Sequence, residues 1–131
     1  MKLIQADDAA FVPASHERPD APGVLKRVIA RATEFQAGQI QMLNWARLPG
    51  RSSFQPHYHE DMQEAFVLVS GRVRMTCDDT SVEMAPGDCV LVEPHEVHCM
   101  ENLRDSTAEY IVFGVSSGRG GRTVVVNDEA D

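Results

Sequence analysis

The chain has 131 residues, 43% hydrophobic and 24% charged, which suits one domain with one sizeable core. Its formal net charge of −8 argues against a nucleic-acid partner and against a basic membrane-surface helix, since both need clustered cations. The apolar runs at 65–69 and 110–115 are far too short to cross a bilayer, and "MKLIQADDAAF" offers no secretory signal, so a cytoplasmic protein without a membrane partner is expected.

Residues 1–23 contain "PASHERPDAPG", where Pro13, Pro19, Pro22 and Gly23 interrupt any regular element. This stretch reads as an N-terminal arm, with His16 exposed and without a role. Short β-type runs then follow at 24–32, at 39–47 (closed by "LPG"), at 64–69 and, after Ser70-Gly71, at 72–77. Further runs lie at 82–85, leading into "PGD", and at 89–93, 98–102 and 109–115. Turn residues return about every ten positions, the spacing of an all-β sandwich or barrel rather than of a βαβ fold. No window sustains a capped helical period, so at most a short helical turn is expected. The barrel is placed at 24–115 and a Gly/Ser-rich tail at 116–131, where "TVVV" suits an edge strand on its own sheet or on a partner's. Cys77, Cys89 and Cys99 form no CxxC and no even-numbered framework. They read as reduced thiols, mostly packed as small hydrophobes.

The stretch with chemical content is "HYHEDMQE", residues 57–64. On an extended strand, side chains at i and i+2 share a face, which puts His57 beside His59 with Tyr58 facing outward. "EDMQ" reads as a connection that returns Glu64 to the histidines. In the following run Glu64, Phe66 and Leu68 share one parity. Two imidazoles and a carboxylate, without sulfur, suit a divalent metal ion. A histidine pair on a solvated acidic turn is the alternative reading of these residues alone. Downstream, "PGDCVLVEPHEVHCMEN" supplies His98 after a proline turn.

These spacings together resemble the two motifs of the cupin family, in particular its small, single-domain, bacterial type 2 members. The first motif is matched by Gly50, His57, His59, Glu64 and Gly71, and the second by Gly87, His98 and Asn102. Two positions depart from the pattern: Glu93 occupies the proline slot, with Pro94 one place later, and His95 occupies a glycine slot. A histidine takes a positive φ more readily than most residues, so the turn is compatible with it. The resemblance implies an all-β fold, a double-stranded β-helix or small jelly-roll barrel. It implies His57, His59, Glu64 and His98 as ligands of one divalent transition metal ion (Fe, Mn, Ni, Zn or Cu), and Asn102 as a structural residue.

Cupins include dioxygenases, isomerases and epimerases, decarboxylases, lyases and non-catalytic binding domains, and fold alone does not choose among them. A metal-dependent enzyme of dioxygenase, isomerase or lyase type, acting on a small oxygen-bearing metabolite, is expected. A non-catalytic metal-containing domain that binds or senses a small molecule is the alternative. The acid–base candidates are Glu93, His95, Tyr58, Tyr110, Arg47 and Asn44. His95 comes first among them because it replaces a glycine beside the ligand turn, although an exposed turn histidine is its other reading. Cys99 should face away from His98. Phe66, Leu68 and Met100 share the ligands' parity, and with Met42 or Trp45 they give an interior suited to a small, partly apolar ligand. Edge strands and the N-terminal arm, together with the resemblance, suggest a homodimer.

Overall fold

The computed structural model describes residues 1–35, 37–116 and 122–126. In chain order its strands are β1 (Val12–Pro13), β2 (Leu25–Arg31), β3 (Ile40–Leu48), β4 (His57–His59), β5 (Met62–Ser70) and β6 (Val73–Cys77). They continue with β7 (Thr80–Met84), β8 (Cys89–Val92), β9 (His98–Asn102), β10 (Ala108–Ser116) and β11 (Thr123–Val125). The single helical element among the described residues is a 3-10 turn at Ala32–Glu34. One sheet runs β1-β2-β3-β10-β5-β8 and the other β11-β4-β9-β6-β7, with every pairing antiparallel. This is the jelly-roll barrel expected from the sequence.

Alternation along the strands builds the interior. On β3 the inward series is Met42, Asn44, Ala46 and Leu48, set beside Tyr110 and Val112 of β10, which in turn lie beside Leu68 and Phe66 of β5. The core joins both sheets through Leu48, Phe54, Leu68, Val73, Met75 and Met100, all almost fully buried. Each such side chain contributes about 1.5–3 kcal/mol relative to exposure. Trp45, considered for the interior, has the opposite parity to Asn44. It sits on the outer face, where its Nε1 donates to Glu109 at 3.0 Å and the Arg27 guanidinium lies 5.9 Å from its ring.

Three segments differ from their sequence reading. The connection before Glu64 is only Glu60-Asp61, because β5 already begins at Met62, whose side chain is buried. The stretch 1–23, read as lacking regular structure, contributes β1 to the edge of the first sheet, with Val12 opposite Lys26 and Pro13 opposite Leu25. A proline is tolerated on such an edge because the missing N–H faces no further strand. The "TVVV" run joins its own sheet: Thr123, Val124 and Val125 pair with His59, Tyr58 and His57. The other tail positions, 117–121 and 127–131, lie outside the described residues. Of the cysteines, Cys77 and Cys99 pack against the core, but Cys89 is exposed on the edge strand β8.

The two glycines of the first motif have steric reasons. A Cβ at Gly50 would lie 1.9 Å from the Asp105 carbonyl oxygen. Gly71 turns the chain at φ +99°, and a Cβ there would approach that of Ala108 to 2.8 Å.

Candidate metal centre

The two sheets meet at four polar side chains. His57 and His59 project from the same face of the short strand β4, and His57 lies directly opposite His98 of β9. Glu64 comes from the other sheet, on β5 between Gly114 of β10 and Val92 of β8. The exposures of His57, His59, Glu64 and His98 are 2, 6, 4 and 1%. One nitrogen or oxygen from each lies within 4.8 Å of those from the other three.

Hydrogen bonds fix which nitrogens face the centre. The His57 Nδ1–H donates to the Gln55 carbonyl at 2.6 Å, and the His98 Nδ1–H donates to the Glu96 carbonyl at 3.0 Å. A carbonyl can only accept, so both Nδ1 atoms carry the proton and both Nε2 atoms present a lone pair. His59 Nε2 and His98 Nε2 approach Glu64 Oε1 to 2.8 and 3.0 Å. Despite these distances, none of the three atoms has a hydrogen-bond partner of acceptable geometry among the described residues. Buried atoms that converge without satisfying one another require an explanation. A divalent cation among them supplies it, because nitrogen lone pairs and a carboxylate oxygen are the donors such ions take. The residues present therefore fit a metal ion. Behind the donors, His59 Nδ1 lies 3.1 Å from Thr123 Oγ1, so all three imidazoles are held from their far side.

The electrostatics match. Burial lowers the pKa of His57 to about 3, helped by His16 and His98, so its imidazole is neutral at physiological pH. Burial alone would raise Glu64, but the facing His59 and His98 outweigh it and bring the carboxyl to about 2. An ionised carboxylate beside the neutral imidazole of His57 is a donor pair that a divalent cation takes.

The cluster opens onto a cavity of about 460 Å³ whose walls include His57, His59 and Glu64, while His98 lies behind them. Phe66, Tyr110, Val112 and Met42 supply much of the remaining wall. Burial, followed by the charges of Glu64 and Glu17, raises the pKa of the Tyr110 hydroxyl, which stays protonated.

The structure sorts the polar candidates. Tyr110 and Asn44 line the cavity. Tyr58 faces the other way, its ring 5.9 Å from that of His95. Arg47 is paired with Glu109 at 3.0 Å, and Glu93 accepts from Gln63 Nε2 at 3.0 Å, both away from the cavity. His95 is an exposed turn residue at φ 68° that does not line the cavity. Its backbone N–H donates to the His59 carbonyl at 2.7 Å, so its contribution is to hold the chain of a cluster residue. Asn102 is structural: its Nδ2 donates to the carbonyls of Leu48, Pro49 and Ser106, and its Oδ1 accepts from the Arg104 N–H. Cys99 points out of the cluster, its thiol donating to the Phe54 carbonyl at 3.1 Å.

His16, read as exposed and without a role, is the clearest correction. Its ring stacks on His57 with centroids 4.1 Å apart and an interplanar angle of 25°, and it lines the cavity. The reason lies one residue on: buried Glu17 accepts the Gly23 N–H at 2.5 Å and the Gln55 N–H at 2.7 Å, anchoring the N-terminal segment beside β4. No spacing in "PASHERPD" signals this. Thr123 was also missed as a contact of His59; only its place in a β-prone run pointed to a strand.

A family model described as "Cupin domain" matches residues 44–114, more than half of the chain. The chain belongs to the cupin family. Solved cupin-like structures agree over nearly its whole length. A predicted oxalate decarboxylase from Thermotoga maritima superposes with a TM-score of 0.77 at 18% identity, covering 88% of this chain and 99% of that one. The polyketide cyclase RemF from Streptomyces resistomycificus gives 0.75 at 18%, covering 98% and 88%. A cupin-2 domain protein from Rhodospirillum rubrum gives 0.74 at 12%, covering 98% and 82%. At these identities the likeness is one of fold. No curated protein matches the chain.

Proposed function

We propose that this cupin is a metal-dependent enzyme of dioxygenase, isomerase or lyase type, acting on a small oxygen-bearing metabolite. The observation that carries the proposal is the convergence of four buried donor atoms at the wall of a cavity of about 460 Å³. His57, His59, Glu64 and His98 would hold one divalent transition metal, among Fe, Mn, Ni, Zn and Cu. When bound, that ion supplies Lewis acidity, polarising a coordinated carbonyl or lowering the pKa of a coordinated water.

The chain's own residues do the rest. Phe66, Met42 and Val112 exclude water and favour a partly apolar body. Tyr110, held protonated, offers a hydroxyl donor at the cavity wall, and neutral His16 offers an imidazole nitrogen beside His57. An acid–base group within reach of a metal-held substrate separates an enzyme from a binding domain, and Tyr110 and His16 are the residues proposed for that role. Oxalate decarboxylases and a polyketide cyclase among the structural neighbours support an enzymatic reading without choosing the reaction.

The assembly proposed is a cytoplasmic homodimer. The edge strand β8, carrying exposed Leu91, supports pairing through that edge. No helix among the described residues is long and apolar enough to cross a membrane.

The test is turnover of a panel of small hydroxy, keto and enol substrates by metal-reconstituted protein. Loss of turnover in His57→Ala and in Glu64→Gln, by about a hundredfold or more, is the expected result. Retained binding with no turnover of any panel member would favour the non-catalytic binding domain.

A further inference from the structure

The far side of the cavity carries a charge feature that the metal cluster does not use. Lys26 and Arg31, both on β2, line the cavity wall. Lys26 is half-buried and Arg31 exposed, which puts them at the rim. Neither forms a salt bridge with a carboxylate among the described residues, in a chain of net charge −8. Burial first, and then the charge of Arg31, lowers the pKa of Lys26, so the two cations act on each other without a compensating anion.

Both reach the cavity wall although residues 26 and 31 have opposite parity on β2, which is irregular between Val28 and Ala30. Lys26 pairs with Ala46 and Val28 with Asn44, both inward positions of β3, and strict alternation would then turn residue 31 outward. The register shifts between Val28 and Ala30, so that Arg31 pairs with Met42, again an inward position. A bulge that re-aims a side chain in this way is a recurrent device beside binding sites. Between the two cations on the neighbouring strand lies Asn44, 7% exposed, whose Oδ1 has no hydrogen-bond partner among the described residues.

We infer that the cavity binds a small organic anion, with its carboxylate or phosphate group on Lys26 and Arg31 and its opposite end toward the His57–His59–Glu64 wall. The inference deepens the reading of the cluster as a metal-dependent site and rests on it. It makes the substrate an acid with an apolar middle, held at two ends. The cluster, itself carrying the carboxylate of Glu64, would repel such an anion without a cation, whereas the rim attracts it.

The test is calorimetric titration of the zinc(II)-reconstituted full chain, with metal content measured on the same samples. The probes are glutarate, phenylacetate and phenylphosphonate, set against neutral glutaramide and phenylacetamide. The expected result is binding of acids and not of amides. Lys26→Gln and Arg31→Gln should each weaken acid binding by about tenfold, as for loss of a hydrogen bond to a charged group, with zinc content unchanged. Arg31→Lys should recover part of the loss, and Arg74→Gln, on the other sheet, should change nothing. Preference between the carboxylates and the phosphonate identifies the anionic group. Zinc-loaded protein that binds acids and amides alike, or that binds acids equally well in both glutamine variants, overturns the inference and leaves the metal reading intact. If zinc does not bind yet acid affinity still depends on Lys26 and Arg31, the anion site stands and the metal reading falls. Acid binding that is absent in every sample overturns the inference. Should Lys26→Gln fail to fold, the exposed Arg31 carries the test by itself.

Discussion

At the scale of single residues, the cluster depends on atoms that face away from it. The Gln55 and Glu96 carbonyls fix the tautomers of His57 and His98, and Thr123 Oγ1 stands behind His59. Thr123→Val removes that support without changing the strand's shape, and metal affinity is expected to fall about tenfold in competition with a chelating dye. The buried imidazoles also predict how the chelated protein responds to acid. His57 and His16 titrate near 3 and 4 in the folded chain but near 6.5 when unfolded. Between those values the unfolded chain binds more protons, so folding stability is full above about pH 6.5 and is lost as pH falls toward 4 and below. Glu64, at about 2 folded against 4.5 unfolded, extends the loss in the same direction. Urea midpoints in EDTA should therefore drop between pH 7 and pH 5. Equal midpoints would contradict neutral, buried histidines.

At the scale of elements, the sequence and the fold part company where an element's partner is far away in the chain. Strands from 24–32 onward were legible because period-2 alternation and turn residues are local signals, and the ends differ only slightly: 24–32 became Leu25–Arg31 and 109–115 became Ala108–Ser116. The four cluster residues were legible because their spacing matches a family pattern, and they do come together. The N-terminal segment was not legible. Its prolines mask a β1 that exists only through pairing with β2, and His16 acquires its place through Glu17, which reaches Gln55 thirty-eight positions away. The bulge in β2 leaves no sequence signal either, since the register shift is visible only against β3. Glu17→Ala deletes two hydrogen bonds to a buried carboxylate and is expected to destabilise the fold by about 2 kcal/mol in chemical denaturation. The same variant should loosen His16 from His57. Unchanged stability would mean that the N-terminal segment is held by other contacts.

At the scale of the whole molecule, the barrel brings one sheet's carboxylate against the other sheet's three histidines. Beside that cluster it leaves a cavity of about 460 Å³ walled by His57, His59 and Glu64. Lys26 and Arg31 of the first sheet and the histidines of the second line the same cavity or its cluster, so the site is a property of neither sheet alone. The central claim is that the cluster holds a metal. It is tested most directly by a crystal structure of chelator-free, metal-reconstituted protein with anomalous scattering. The account predicts one anomalous peak per chain, with nitrogens of His57, His59 and His98 and an oxygen of Glu64 at about 2.0–2.2 Å from it. A reconstituted crystal with no such peak, and with the three imidazoles turned away from Glu64, would contradict it.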